Sequence, residues 1–323
     1  MPSLTAGVHL TPTLKLVRPL DMGAMGSVWA AESLALGARV AVKLMGPGYA
    51  HNEAAVLRFR QEAQAAARIK SPHVASVYDH GVTAEGQPYI VMELLEGETL
   101  RRRMKRRGPL PCEEASWLFG QAARGIAAAH ALGVVHRDIK PENLFVIDAA
   151  GGPFVKVLDF GIAKQLGQMS KLTSTGAALG TPPYMSPEQY DDTKRVDHRT
   201  DLWAMAVVVY ELLTGALPFT GSTIMGMALA IARSEYQSPS VLRADLPRAI
   251  DAWMARAFSS QVDARFCSAM EMAETLSAAM EDWEVPTWRP RPREEPPGLH
   301  LEPPASISPL RMWADPLRTA QSR

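Results

Sequence analysis

The sequence predicts an α+β fold in two lobes: a small lobe of strands with one helix, then a larger, mainly helical lobe. Three observations lead there. The first 93 residues break into short apolar or alternating runs separated by turn residues, the pattern of strands. From Thr99 onward helical runs dominate, and Gly133 and Gly215 stand where two of them end. The length, 323 residues, suits about two units of roughly 150 residues each.

In the first lobe, residues 14–17, 27–30 and 39–44 read as strands. Residues 52–70 read as one helix rich in alanine and long side chains, with Asn52 as N-cap and Pro72 just past its end. Residues 74–82 and 88–95 complete a set of five strands. In the second lobe, helices are predicted over 111–132, 198–214, 222–233, 247–258 and 268–283. The lobes are bounded at 11–93 and 94–283. Residues 284–323 contain nine prolines, which remove backbone donors and block helices, so an extended, mobile tail is expected there. The run from Arg101 to Arg107 carries six positive charges in seven residues. It reads as a solvated helix face or, more sharply, as a docking surface for acidic partners.

Composition narrows the function. Hydrophobic residues make up 47% and charged residues 21%, enough to bury a large core. The 34 basic and 34 acidic side chains cancel, which argues against bulk attraction to nucleic acid or membrane. Cys112 and Cys267 have no metal-ligand spacing and read as reduced thiols. With no signal-peptide pattern and no apolar stretch near 20 residues, a cytoplasmic protein without a membrane span is expected.

Chemistry concentrates in two segments. His136-Arg-Asp-Ile-Lys-Pro-Glu-Asn143 is followed, sixteen residues after Asn143, by Asp159-Phe-Gly161. Upstream, Val40-Ala-Val-Lys43 ends a strand in a lysine, and a carboxylate partner for it is available in the next helix at Glu62 or Glu53. Glu53 lies in the first helical turn, where acids commonly serve the helix dipole. Before them, Leu20-Asp-Met-Gly-Ala-Met-Gly-Ser-Val28 holds Gly23 and Gly26, and glycine lets backbone N–H groups approach phosphate closely. A strand, not a helix, follows this loop, which excludes a dinucleotide-binding fold.

In this order, over about residues 14–282, the motifs resemble those of the bacterial, eukaryotic-like (Hanks-type) Ser/Thr protein kinases. The resemblance implies a two-lobed protein kinase fold with a five-stranded antiparallel sheet. It implies transfer of the ATP γ-phosphate to Ser/Thr hydroxyls of protein substrates, with Mg²⁺ as metal and Mn²⁺ as an alternative. Asp138 would accept the hydroxyl proton, Lys140 neutralise the migrating phosphoryl, and Lys43 with Glu62 clamp the α- and β-phosphates. Asn143 and Asp159 would hold the metal. Gly23 and Gly26 would cover the phosphates. Val28 and Ala41 would roof the adenine, Phe145 floor it and Met92 guard it, with backbone groups of Glu93 and Leu95 at its edge.

His136 reads as scaffold rather than acid or base. Residues 159–188 would be the activation segment, with Thr181 bonded to Asp138 and Lys140, Glu188 paired with Arg265, and Asp201 anchoring the catalytic-loop backbone. Thr173 and Thr175 would be autophosphorylated, with Arg137 and Lys164 receiving the phosphate and a transient homodimer serving the reaction in trans.

Three departures stand out: Asp21 replaces the first loop glycine, Ser186 stands where alanine is commoner, and Ala206 replaces a glycine. Asp21 motivates an alternative, a weak or inactive kinase-like binding module, but Lys43, Asp138 and Asp159 are all present. A small-molecule phosphotransferase is disfavoured by Lys140, Thr181 and the Ser-Pro-Glu segment.

Overall fold

In a computed structural model of the chain, residues 4–23, 26–50, 52–160, 182–191 and 196–281 are described. The predicted tail, Gly161, Lys164, Thr173, Thr175 and Thr181 lie outside them.

The first lobe is built on the two-residue period of β4 (Ala38–Met45). Val40, Val42 and Leu44 point to one face and are buried with Leu14, Leu16, Trp29, Ala31 and Val91. Ala41, Lys43 and Met45 point to the other, where Met45 packs with Ala55, Phe59 and Ala63 of α2 (Glu53–Arg68). Short α1 (Pro47–Ala50) precedes α2, and the Asn52 side chain accepts from the Ala55 N–H at the α2 N-terminus.

The sheet is antiparallel, in the order β1 (His9–Thr11), β2 (Leu14–Gly23), β3 (Gly26–Ser33), β4, β6 (Pro88–Glu93), β5 (Val77–Val82). It has six strands, one more than the five expected. The extra strand, β1, is only three residues long, too short to show alternation.

Two-residue β7 (Glu98–Thr99) leads into α3 (Leu100–Arg107) and α4 (Cys112–His130). The hairpin β8 (Leu144–Ala149) and β9 (Gly152–Val157) joins β7 in a small sheet inside the helical lobe, which the sequence reading did not separate. The parallel bridge between Val74 and Val157 fastens this hairpin to the segment leading into β5.

Short α5 (Pro187–Asp191) precedes α6 (Arg199–Thr214). Every residue of α6 from Thr200 to Leu213 is buried, so this helix is apolar nearly all round and forms the pillar of the lobe. Gly215 ends it at φ 75. α7 (Ile224–Arg233), α8 (Pro239–Leu242), α9 (Ala249–Ala257) and α10 (Ala269–Glu281) pack around it and α4.

The basic run is a helix with one solvated side: Arg102, Lys105, Arg106 and Arg107 are exposed, Arg103 is buried and Arg101 half-buried. It forms α3, and four of its cations, two of them on the solvated side, pair with acids of the chain. Arg101 pairs with Glu142 and Glu211, Arg103 with Glu98, Glu114 and Asp148, Arg106 with Glu98, and Arg107 with Glu114.

Candidate active site

Lys43 reaches the α2 side of the sheet because β4 alternates. Its Nζ lies 3.2 Å from Glu62 Oε1 and 2.9 Å from Asp159 Oδ1. Glu62 sits in the buried stripe Ala55, Phe59, Ala63, Ala66 and is itself buried, whereas Glu53 is exposed in the first turn. Burial by itself would lower the Lys43 pKa. The Asp159 and Glu62 carboxylates outweigh it and hold the ammonium above the ordinary lysine range. Burial likewise pushes Asp159 up, but Lys43 overrides it and keeps this carboxyl below the usual range.

Asp159 follows β9 by two residues, at φ 46. Its approach is tied to the catalytic loop on both sides of Leu158, whose N–H donates to the Asn143 carbonyl at 2.8 Å and whose carbonyl accepts from His136 Nε2 at 2.8 Å. The Asp138 N–H donates to His136 Nδ1 at 3.2 Å. This network assigns the ring proton to Nε2. His136 is fully buried, 4.7 Å from the Phe160 ring, and serves as scaffold.

Asp201, fully buried in the first turn of α6, accepts from the backbone N–H groups of His136 at 2.8 Å and Arg137 at 2.7 Å. His130 Nε2 donates to the same carboxylate at 2.8 Å. The loop thus keeps Arg137 at φ 65, a conformation that costs a non-glycine residue about 1–3 kcal/mol. The Asp138 carboxylate lies 3.0 Å from Lys140 Nζ and accepts from Asn143 Nδ2 at 2.9 Å. Asn143 Nδ2 also donates to the Asp138 carbonyl at 2.8 Å. With its amide nitrogen committed, the buried Asn143 presents Oδ1, which accepts no hydrogen bond among the described residues.

The strand register places Val28 opposite Lys43 and Ala41 opposite Met92, so these four side chains share the cleft face. Val28 and Met92 on this face are half-buried, as are the apolar side chains of Leu95 and Phe145. Gly26 has φ 150, and a Cβ there would stand 2.0 Å from the Leu44 carbonyl, so the loop can close onto β4 only with glycine. Glu93 is clamped: its N–H donates to the Ser76 carbonyl at 2.9 Å, and its Oε2 lies 2.9 Å from Lys156 Nζ. Leu95 makes no backbone hydrogen bond among the described residues.

Glu188 and Arg265 form a two-pronged pair at 2.9 and 3.0 Å, with the Arg265 guanidinium over the Trp203 ring. Ala206, where the family pattern has glycine, is fully buried in α6.

Sequence reasoning missed His130, Lys156 and the group joining Arg101 to Glu142, Tyr184 and Glu211. Arg101 donates to Glu142 at 2.8 Å and to both Tyr184 and Glu211, and the Tyr184 hydroxyl donates to Glu211. Burial and the Glu211 carboxylate push the Tyr184 phenol above its usual range. These contacts join residues 27 to 110 positions apart, and no local pattern marks them. For Lys156 a signal existed: it alternates with the buried Val155 and Val157 in β9.

Comparison with known proteins agrees with this geometry. A family model described as protein kinase domain matches residues 14–273. The serine/threonine-protein kinase PknL of Mycobacterium tuberculosis is 38% identical over 272 residues, covering 84% of this chain and 67% of that protein. PknB of Mycobacterium leprae is 36% identical over 276 residues, and the chain spans 44% of its length. The crystal structure of the Mycobacterium tuberculosis PknI kinase domain superposes with a TM-score of 0.68 at 29% identity, covering 86% of this chain and 100% of that one. The chain belongs to the protein kinase domain family, on its bacterial serine/threonine side, and is an ATP- and divalent-metal-dependent protein kinase.

Proposed function

We propose that Asp138 accepts the proton of a substrate serine or threonine hydroxyl and aims its oxygen, while Lys140 neutralises charge on the group being transferred. Lys43, held by Glu62, clamps the α- and β-phosphates, and Gly23 and Gly26 cover them. Val28, Ala41, Met92 and Phe145 enclose the adenine. Leu95 offers it a free N–H and carbonyl, and Glu93, its N–H already engaged, offers its carbonyl.

Asn143 Oδ1 and the Asp159 carboxylate are hard oxygens, and among the described residues no cluster of three or more His, Cys, Asp or Glu competes with them. A pair of oxygens suits Mg²⁺, which takes few protein ligands and keeps water; Mn²⁺ is the alternative. The metal, bound with ATP, supplies charge neutralisation at the phosphates. Thr181 completes the acceptor site, and Thr173 and Thr175 are autophosphorylated within a transient homodimer, with Arg137 and Lys164 receiving the phosphate. Residues 11–93 and 94–283 act as the two lobes, with 284–323 as a tail outside catalysis. No helix of the described residues is long and apolar enough to cross a membrane. The place of action in this proposal is the cytoplasm, where ATP and protein acceptors meet.

The observation that carries this reading is the meeting of Lys43 with Glu62 and with Asp159, a residue 116 positions away, beside the Asp138–Asn143–Lys140 group. The test is incubation with Mg²⁺-ATP and a protein acceptor, with phosphosites mapped by mass spectrometry. Asp138→Asn and Lys43→Met should each cost at least about 4 kcal/mol in transition-state stabilisation, roughly a thousandfold in rate, while remaining folded. Near wild-type turnover by either variant would sink the assignment.

A further inference from the structure

Arg137 is held from two sides. On its N–H side, Asp201 accepts directly at 2.7 Å. On its carbonyl side, Gln189 Nε2 donates at 3.4 Å, the long end of the hydrogen-bond range. That carbonyl belongs to the peptide that leads into Asp138, so its orientation sets how Asp138 leaves a backbone already at φ 65.

The Gln189 side chain is not loose. Its Oε1 accepts from the Ser186 N–H at 3.0 Å and lies 3.3 Å from Ser186 Oγ. This is the glutamine half of a capping box at the start of a helix, here α5, with the Gln189 N–H donating to the Ser186 carbonyl at 3.0 Å and Pro187 in the first helical position. With Oε1 committed to a backbone N–H, the amide nitrogen must face the Arg137 carbonyl. Ser186 is fully buried, and its Oγ lies 2.6 Å from Thr200 Oγ1, itself 1% exposed. Thr200 directly precedes Asp201 in α6.

One proton order serves every contact. Thr200 Oγ1–H donates to Ser186 Oγ, Ser186 Oγ–H to Gln189 Oε1, and Gln189 Nε2–H to the Arg137 carbonyl. Such a chain polarises each bond through the next. Both grips on Arg137 then originate at the same turn of α6, one through Asp201 and one through Thr200.

We propose that Ser186 and Gln189 are positioning residues for Asp138: with Thr200 they form a strut, buried at its Ser186–Thr200 base, that holds the Arg137 carbonyl and thereby the direction of the catalytic aspartate. This rests on the role proposed above for Asp138.

The variant that separates strut from cap is Gln189→Glu. It keeps the acceptor for the Ser186 N–H, and glutamate suits that helix position, but it removes the donor to the Arg137 carbonyl. The full chain, wild type and Asp138→Asn are assayed beside it. Gln189→Glu is expected to lower kcat about tenfold while KM for ATP and for the acceptor stays within about twofold and Tm within about 2 °C. Ser186→Ala should lower kcat by about threefold, and the double variant should match Gln189→Glu alone, because both act through one chain.

Wild-type kcat in Gln189→Glu, a loss that vanishes on correction for the folded fraction, or a loss carried by KM would overturn the strut. If Gln189→Glu does not fold, Ser186→Ala decides by the same kcat criterion. An active wild type and inactive Asp138→Asn with an unaffected Gln189→Glu would remove this inference alone. An inactive wild type would remove the proposed function with it.

Discussion

Asp21 stands where the family pattern has the first glycine of the phosphate-covering loop, and its carboxylate turns toward its own backbone. Oδ1 accepts from the adjacent Met22 N–H at 2.9 Å, and the residue is exposed on β2 opposite Val28. An exposed charge several ångströms from a metal-bound triphosphate is screened by water and salt. At an effective dielectric near 20, two unit charges ~8 Å apart interact by about 2 kcal/mol, and counter-ions reduce that. Asp21→Gly is therefore expected to lower KM for ATP by no more than about fivefold, on the order of 1 kcal/mol, with kcat unchanged. Titrating ATP against Asp21→Gly and Asp21→Asn at low and moderate salt checks this. Weaker binding by Asp21→Gly would mean that the carboxylate contacts the nucleotide favourably.

Helix α3 shows what the charge of an element leaves out when read alone. Six cations in seven residues look like a wholly solvated surface, yet Arg101 and Arg103 lie against acids from β7, α4, the catalytic loop, the end of β8 and α6. Arg101 carries the most consequence, because it joins Glu142, next to Asn143, to Glu211 in the pillar helix and to Tyr184. Removing one partner of a buried pair leaves the other charge uncompensated, which costs about 3–5 kcal/mol. Arg101→Met should lower unfolding free energy by that amount in urea melts. Arg101→Lys should recover only part of it, since lysine cannot present the planar fork that serves Glu142 and Glu211 together. A melt of Arg101→Met matching wild type would show that Glu211 finds another partner.

At the scale of the molecule, the catalytic loop carries a charge that invites an anion. Burial lowers the Arg137 pKa and the Asp201 carboxylate only partly offsets it; Arg137 Nε is buried with no hydrogen-bond partner among the described residues. A phosphate on Thr173 or Thr175, residues outside the described set, would bring about −1.5 to −2 charges and acceptor oxygens suited to a guanidinium. The Thr173→Ala/Thr175→Ala double variant should therefore phosphorylate a protein acceptor several-fold more slowly than wild type, and active wild type should carry phosphate at one or both sites by mass spectrometry. Unmodified threonines in a fully active preparation would contradict this.

The sequence alone determined the two-lobe order, the major helices within a few residues of their ends, and the identity of the polar set from Lys43 to Asp159. Those signals are local: strand alternation, glycine and proline punctuation, and motifs whose members lie within one loop. The sequence also pointed to Glu62 rather than Glu53 as the partner of Lys43; the tertiary structure supplied the contact, by burying the Glu62 face of α2 against β4. It alone added β1, showed which cations of the basic run pair with acids of the chain, and brought His130, Thr200 and Gln189 to bear on the loop that carries Asp138, and Lys156 on Glu93. The contacts of Arg101, His130, Gln189 and Lys156 join residues 41 to 110 positions apart, and such a contact exists only once the packed core fixes the distance between the elements that carry them.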